Sequence, residues 1–519
     1  MGLCSFMLIG HWWEDGANSR AALKAFFTTR TGDIGLLTGT AILFFSANEW
    51  TTKTLGVSGF SIRGLSSWAL SGNPGNAAIT MGAIALFIAA IGKSGQFPLH
   101  TWLPDAMAGP TPVSSLLHSS TMVVAGVFLV ARLYPVFFKG MDILGGSANF
   151  IVVIGGITIV IAALLAFVQT DIKKVLAYST VSQLGYMMMG LGAGAWLPAV
   201  FHIFTHAFFK ACLFLGAGSI SHSSSHHSFE MKKDMGGLRK FMPITFGTWI
   251  ISTLALCGVF PFSGFFSKDE IIDNVGHNGY NVFMIVGLTG AFLTAAYMTR
   301  ATYLTFFGQP RGASAGEHHE EESHDSYAAH DDHADHGHDT HDSHDAHASH
   351  GPHESGWLIT APLIILATLA LSSGFLNALP FGEKFENFKK WVEPSAEVIN
   401  PTGIAYVVGG IGEARIAADA PTDSTLAPDA EVMSDSEPVP VEDSHSTAGE
   451  GEATPEMLRS TTAAGEDSHS AEEGHHYSPC GSKTPEQPVA KFRRLGPFIA
   501  GGQDVYGVSP FLSSVRTIL

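Results

Sequence analysis

Apolar segments long enough to cross a membrane recur along this chain of 519 residues, and they limit its possible folds more than any other feature. A spanning helix needs about 20 mostly apolar residues, and the sequence contains about nine such segments. A shortened tenth, at residues 1–13, has the pattern of a helix whose beginning is missing. We predict an all-α polytopic membrane protein with about 9–10 spans. The longer segments are 33–48, 76–108, 113–135, 148–168, 173–192, 194–219, 241–275, 279–305 and 356–378.

Two of these segments are too long for one simple pass, and each carries an internal break. The breaks combine glycine with proline, at residues 91–98 and 258–264. Proline lacks a backbone donor and glycine loosens the helix. Interrupted backbone at membrane depth persists only where protein or a water-filled cavity satisfies its polar groups. A pair of interrupted helices therefore indicates an ion or substrate site, and two ordinary proline kinks are the alternative.

Composition excludes several classes of function. The chain is 46% hydrophobic and 14% charged with a net charge of −18, and most of its acidic residues lie in two polar stretches, 313–355 and 413–475. It has no concentrated basic surface of the kind that binds nucleic acid. Its four cysteines form no metal-ligand spacing, and the sequence contains neither a dinucleotide fingerprint nor a phosphate loop. We predict that the chain ligates no iron–sulfur cluster, binds no nicotinamide or flavin cofactor of its own and carries no redox centre.

Ionisable residues inside the apolar segments are the most informative, because such groups cost roughly 2.5–3.5 kcal/mol each at the centre of a bilayer. His202, His206 and Lys210 recur every four residues and so share one face of a helix. Burial weakens the hold of a lysine on its proton, a nearby carboxylate strengthens it, and histidine relays protons near neutral pH. The sequence thus predicts a proton relay, with the candidate residues Asp33, Lys93, His118, His202, His206, Lys210, Lys268 and Asp269.

Several of these candidates also have a purely structural interpretation. Asp33, which we place at the start of a helix, would interact only with the helix dipole. Lys93, beside the first break, would extend to the membrane surface. His118 would be a core histidine bonded to a backbone carbonyl. Lys268 would be an interfacial lysine paired with Asp269 or Glu270.

Basic residues favour one orientation in the membrane. When the spans are counted from the N-terminus, one side receives more lysine and arginine, and the positive-inside rule places that side in the cytoplasm. The polar loop after residue 311 would then be cytoplasmic, in what we expect to be a bacterial inner membrane. The basic residues assigned to this side are Arg20, Lys24, Arg30, Lys173, Lys174, Lys232, Lys233, Arg239, Lys240, Arg300 and Arg311.

Four long motifs occur in order: GKSGQFPLHTWLPDAMAGPTPVS at 92–114, TDIKKVLAYST at 170–180, FHIFTHAFFK at 201–210 and GFFSKDE at 264–270. They resemble the signatures of NADH-quinone oxidoreductase subunit L, also called NADH dehydrogenase subunit 5, an antiporter-like subunit of respiratory complex I. The resemblance covers roughly residues 1–310 and more loosely 356–395. The A subunit of multisubunit sodium/proton antiporters is similar and remains the alternative.

The resemblance implies an antiporter-like bundle of inverted five-helix repeats, each with one broken helix, and proton translocation driven by quinone reduction in a neighbouring subunit. NADH, FMN, iron–sulfur clusters and quinone would be bound by partner subunits. Members of the family have further helices before the matching region, one with a glutamate that pairs with the switching lysine, so the chain resembles an N-terminally truncated member. The implied roles are Lys93 as the switching lysine with Asp33 close to it, His118, His202, His206 and Lys210 as the central relay, and Lys268 with Asp269 at the exit.

The sequence divides into four regions. We predict an antiporter-like core at 1–310, a disordered His/Asp-rich loop at 311–355, a further helix with an amphipathic tail at 356–395, and a disordered, acidic, low-complexity region at 396–519. The histidine tract is open to three interpretations, which are a specific site for zinc, nickel or copper, weak adventitious binding of such metals, and plain solvated chain. The expected partners are the lipid bilayer and other membrane subunits of the complex, and not nucleic acid.

Overall fold

The computed structural model describes residues 2–71, 75–224, 227–315, 351–378, 387–392, 398–399 and 405–406. Within these ranges the chain is a bundle of α-helices, as predicted, with one antiparallel pair of two-residue strands, β1 (Val398–Ile399) and β2 (Ala405–Tyr406). The helices are α1 (Gly2–Ile9), α2 (Gly16–Leu55), α3 (Ile62–Leu70), α4 (Asn76–Lys93), α5 (Trp102–Asp105), α6 (Thr111–Ser119), α7 (Val124–Arg132), α8 (Tyr134–Gly140), α9 (Phe150–Val168), α10 (Ile172–Gly192), α11 (Trp196–Ser224), α12 (Pro243–Cys257), α13 (Ser263–His277), α14 (Asn281–Phe306), α15 (Trp357–Ser372) and α16 (Asn387–Val392).

Fewer helices than predicted meet the length and hydropathy of a membrane span. Within the described ranges 5 do so, and α4 and α12 add two shorter apolar helices. The two breaks shorten α4 and α12, while α10 carries polar side chains and α2 is charged near its start. The qualifying spans are Thr111–Arg132, Phe150–Val168, Trp196–Ser224, Asn281–Phe306 and Trp357–Leu376.

Helix α2 is longer than the segment predicted at 33–48. Asp15 caps its first turn by accepting a hydrogen bond from Ala17 N at 2.8 Å. Gly56 ends it in the left-handed conformation, with φ of 66°. The first half of α2 is not apolar enough to be recognised from hydropathy, so only its second half was predicted.

Both predicted breaks interrupt the helices completely. After Lys93 the chain leaves the helical conformation until α5, and after Cys257 it does so until α13. Each break contains a cis Phe–Pro peptide bond, before Pro98 and before Pro261. An ordinary proline kink keeps the helix continuous on both sides, so that alternative does not describe either break.

Helix α10 lies at the centre of the bundle. Nearly all of its residues are buried, and it packs against α9, α11, α13 and α14. Any polar side chain on α10 therefore points into the protein and not into lipid, which makes this helix one wall of the candidate site.

Most of the two predicted polar regions lies outside the described residues. Of the His/Asp-rich loop at 311–355, residues 316–350 fall there. Of the region at 396–519, only the two short strands are described. Everything described belongs to one unit, Met1–Ala420, and a second unit, Pro421–Leu519, lies outside the described part of the chain.

Candidate functional site

An ion pair lies at the first break. Lys93 is the last residue of α4, and its Nζ is 2.9 Å from Oδ1 of Asp33 on α2. Arg30, one turn earlier on α2, approaches the other oxygen of Asp33 at 3.1 Å. The two paired side chains are only 18% and 20% exposed. Lys93 is therefore held by a carboxylate within the bundle and does not extend to the surface.

Close packing of α2 against α4 brings this pair together. A Cβ atom on Gly35 would lie 2.5 Å from the carbonyl oxygen of Ala85, and one on Gly39 would lie 2.9 Å from that of Gly82. Only glycine permits such an approach of two helix backbones. Asp33 sits within this glycine stripe, so its short side chain reaches the end of α4.

The prediction that Asp33 starts a helix is wrong. The helix begins at Gly16, and Asp33 lies well inside it. The effect of the helix dipole is confined to the first turn, so it does not act on Asp33. The apolar window of the sequence began at Asp33 because the charged stretch before it concealed the earlier turns of α2.

The three candidates on α11 share one buried face, as predicted. His202 lies 2.8 Å through Nδ1 from Ser267 Oγ and 3.2 Å through Nε2 from Gln183 Oε1. Thr205 Oγ1 is 2.9 Å from the same Ser267 oxygen. His202 thus connects α11 with α10 on one side and with α13, the helix of Lys268, on the other.

His206 and Lys210 continue this face along α11. His206 contacts the carbonyl oxygen of Ser119 through Nδ1 at 2.9 Å, while its Nε2 is buried without a hydrogen-bond partner among the described residues. Lys210 donates from Nζ to the carbonyl oxygen of Leu176 at 3.3 Å and to Ser179 Oγ. Both side chains are fully buried.

His118 lies in the last turn of α6 and is fully buried. Its ring centroid is 5.8 Å from that of Phe214 on α11. Within the described part of the chain, neither of its ring nitrogens has a hydrogen-bond partner. The interpretation of His118 as a core histidine bonded to a carbonyl is therefore wrong. Such unsatisfied polar atoms are rare in protein interiors, where water or a protonation change can satisfy them.

Lys268 follows the second break, on α13, and is buried. Its Nζ donates to the carbonyl oxygen of Leu256 at 2.8 Å and lies 4.9 Å from the centre of the Tyr186 ring. Neither Asp269 nor Glu270 lies within ion-pair distance of it. The interfacial interpretation of Lys268 is therefore wrong, because successive residues of a helix point in different directions and carry the two carboxylates away.

Sequence analysis missed the polar face of α10. Ser179, Gln183 and Tyr186 recur every three to four residues, and they contact Lys210, His202 and Lys268 in turn. Their spacing within an apolar segment is a signal that was available in the sequence. Ser267, beside Lys268, was also missed, and nothing in its local sequence distinguishes it from an ordinary helix serine.

Among the described residues, neither Lys210 nor Lys268 has a carboxylate within ion-pair distance. Ion pairs elsewhere in the same ranges include Lys24–Asp105, Arg30–Asp33, Lys53–Glu49 and Lys93–Asp33. Lys210 and Lys268 rely instead on carbonyl and hydroxyl oxygens. No group of three potential metal ligands occurs in the same ranges.

These contacts define a multi-pass helical membrane protein in which a row of buried ionisable side chains lies beside two interrupted helices. The family model described as "NADH:quinone oxidoreductase/Mrp antiporter, TM" matches residues 1–294. The chain belongs to this family.

Relatives with curated names match a large part of the chain. The chain is 42% identical over 404 residues to "NAD(P)H-quinone oxidoreductase chain 5" of Picosynechococcus sp., covering 75% of this chain and 55% of the relative. It is 44% identical over 321 residues to "NADH-quinone oxidoreductase subunit L" of Pseudomonas aeruginosa, covering 61% and 49%. The chain thus spans about half the length of the curated relatives it matches.

Solved structures share the fold. The membrane-bound sulfane sulfur reductase, an archaeal respiratory membrane complex, aligns with a TM-score of 0.56 at 26% identity, over 73% of this chain and 57% of that one. The Mrp complex from Dietzia sp. aligns with a TM-score of 0.53 at 24% identity, over 73% and 36%. The second likeness concerns the fold alone.

Proposed function

We propose that the chain is the proton-translocating, antiporter-like part of a membrane subunit of an NADH:quinone oxidoreductase. The observation that carries this proposal is the buried row that runs from Lys268 through Ser267 and His202 toward Lys210. Among the described residues, no carboxylate lies at ion-pair distance from either lysine. Buried ionisable residues in membrane proteins mark proton and ion pathways. The names of the curated relatives supply the redox partner reaction.

The row contains the groups that a relay requires. A serine hydroxyl both donates and accepts, and Ser267 touches both His202 and Thr205. His206 and His118 present ring nitrogens that no described protein atom occupies, so they are open to an incoming proton. In our proposal protons pass among these groups and the two buried lysines by exchange of hydrogen bonds.

The ion pair at the first break supplies the switch in this proposal. Asp33 lies between two cations, Lys93 and Arg30. If Asp33 moves toward Arg30, Lys93 loses its counter-charge and its proton is released into the row. If Asp33 returns, Lys93 regains a proton. Such a movement would couple proton transfer to a small shift of α2 against α4.

The proposed role implies which partners the chain has and in which membrane it lies. Other membrane subunits of the complex would adjoin it, and NADH, FMN, iron–sulfur clusters and quinone would be bound by partner subunits. We place the chain in a bacterial inner membrane, with Lys174, Lys232 and the His-rich loop on the cytoplasmic side, because that side carries more basic residues. Protease cleavage at a site inserted between residues 316 and 350 would occur only in inverted vesicles.

The central test replaces Lys210 with methionine, which keeps the length and removes the titratable group. The complex is assembled in inverted membrane vesicles, and NADH-driven proton uptake is measured per assembled complex. We expect uptake to fall at least tenfold, because the relay loses one of its two buried lysines. Unchanged uptake would overturn the proposal.

Lys233→Met provides the matched control, since Lys233 is exposed and outside the row. Its uptake should equal that of the unaltered complex.

Repeating the measurement with and without sodium tests the related antiporter function. Proton uptake that requires a sodium gradient and does not depend on NADH oxidation would assign the chain to a sodium/proton antiporter instead.

A further inference from the structure

Lys173 is a buried lysine, although the sequence places it among the basic residues of the predicted cytoplasmic side. It is the second residue of α10, is 5% exposed, and donates from Nζ to the carbonyl oxygens of Gly109 at 3.2 Å and Met107 at 3.4 Å. The ring of Phe229 covers it, with its centre 4.1 Å away. Like Lys210 and Lys268, it has no carboxylate within ion-pair distance among the described residues.

A surface cleft with a volume of about 430 Å³ lies beside the residues that surround Lys173. Met107, whose carbonyl oxygen accepts a hydrogen bond from Lys173, forms part of its wall. Asp171, two residues before Lys173, and Lys174, the residue after it, also line the cleft. The remaining lining residues are Ala17, Asn18, Arg20, Ala21, Lys24, Pro104, Asp105 and Ala108.

Asp171 gives this cleft a titratable carboxyl group. It precedes α10 and caps its N-terminus by accepting a hydrogen bond from Lys174 N at 3.0 Å. Burial raises the pKa of the Asp171 carboxyl, and the hydrogen bond from Lys174 opposes this effect. A carboxyl group shifted toward neutral pH at the mouth of a cleft is suited to exchange protons with water.

Lys173 also lies in line with the polar face of α10. The carbonyl of Leu176, three residues further on, accepts the hydrogen bond from Lys210, and Ser179 contacts the same amine. Three residues of helix advance by about 4.5 Å. The backbone of Lys173 therefore lies about one helical turn before Leu176, the residue whose carbonyl contacts the Lys210 amine. A path between the two amines would run through water.

We propose that Lys173 is a further proton-transfer residue, which takes protons from water in the cleft and passes them to Lys210. This inference rests on the proposed function. In each transfer the neutral amine of Lys173 accepts a proton from hydronium in the cleft, and the resulting ammonium gives a proton to the neutral amine of Lys210. Each transfer moves one proton, converts one hydronium ion into a water molecule, and changes no other bond.

Lys173 also has a structural role that the test must separate from proton transfer. Its two carbonyl contacts hold the segment that follows the first break against α10. Arginine keeps the positive charge and the hydrogen-bond donors, but it does not release its proton in proteins. Lys173→Arg therefore preserves the structural contacts and removes the transfer step, whereas Lys173→Met removes both.

The experiment measures NADH-driven proton uptake by the complex in vesicles, per assembled complex, for Lys173→Arg, Lys173→Met and the control Lys233→Met, an exposed lysine outside the cleft and the row. We expect uptake to fall at least fivefold in both Lys173 variants and to change less than twofold in Lys233→Met. Normal uptake in Lys173→Arg overturns the inference and leaves a structural role only. Failure of both Lys173 variants to assemble overturns it too, because the contacts would then be the essential property.

The Lys210→Met complex, measured in parallel, separates this inference from the proposed function. If Lys210→Met is impaired and Lys173→Arg is normal, the proposed function stands and Lys173 is not part of the pathway. If both are normal, the proposed function and the inference fail together.

Discussion

The two broken helices place a lysine in opposite settings. At the first break Lys93 ends the helix before the interruption and pairs with Asp33, partly open to solvent. At the second break Lys268 lies on the helix after the interruption, is buried, and donates to the carbonyl oxygen of Leu256. A similar chain break thus produces an ion pair at one break and, among the described residues, a lysine without a counter-ion at the other.

The difference lies in how each break satisfies its freed carbonyl groups. At the first, the indole of Trp102 donates to the carbonyl oxygen of Gly92 at 3.2 Å, which leaves Lys93 free to meet a carboxylate. At the second, Lys268 itself donates to the freed carbonyl. Unpaired carbonyls are costly inside a membrane, so Lys268 contributes to the structure of its own break, while Lys93 does not.

The largest effect that we expect tests the rigidity of the second break. A Cβ atom on Gly264 would lie 1.8 Å from the carbonyl oxygen of Ala255, so Gly264→Ala forces α12 and α13 apart. We expect a loss of more than about 3 kcal/mol of stability, seen as failure to accumulate in the membrane, because the contact is with backbone that has little room to move.

Gly95→Ala is the matched variant at the first break. Gly95 has φ of 54°, and a Cβ atom there would lie 2.9 Å from Leu103 Cδ1, the end of a flexible side chain. We expect a cost of about 1–2 kcal/mol from the left-handed conformation. Equal effects at Gly264 and Gly95 would show that the two breaks are equally tight.

Much of this comparison could be predicted from the sequence, and the missing part has physical causes. Glycine and proline revealed both breaks, and the spacing of His202, His206 and Lys210 revealed their common face. The partners of Lys93 and Lys268 were not equally predictable, because they depend on which helices pack together. The glycine stripe of α2 that presents Asp33 to Lys93 resembles any other set of glycines until α4 lies against it.

The second prediction compares stability after removal of each lysine. Lys93→Met leaves Asp33 with Arg30 alone and should cost about 1–2 kcal/mol, since a charged hydrogen bond is lost. Lys268→Met removes the cost of burying an ammonium but also leaves the carbonyl oxygen of Leu256 without its donor. Because these two effects oppose each other, the net change should be smaller than for Lys93→Met. The melting temperatures of the two variants in detergent give the comparison, and a larger loss for Lys268→Met would contradict it.

The third prediction uses double-mutant cycles to measure the pairing itself. Asp33→Asn and Lys93→Met, alone and together, should show a coupling of about 1 kcal/mol, because the two side chains are in contact. Asp269→Asn and Lys268→Met should show almost none, since these side chains are not within ion-pair distance. Strong coupling in the second cycle would restore Asp269 as the partner of Lys268.

The smallest effect concerns a second ion pair on α2, which serves as a control for the first. Lys53 Nζ lies 2.6 Å from Glu49 Oε1, but the side chains are 74% and 78% exposed. Water screens such a pair on a helix surface, and separating it changes little. Lys53→Met should therefore alter neither the melting temperature nor proton uptake measurably. A loss like that of Lys93→Met would mean that α2 responds to any change of charge, and the distinction between the two breaks would no longer rest on the pair of Asp33 and Lys93.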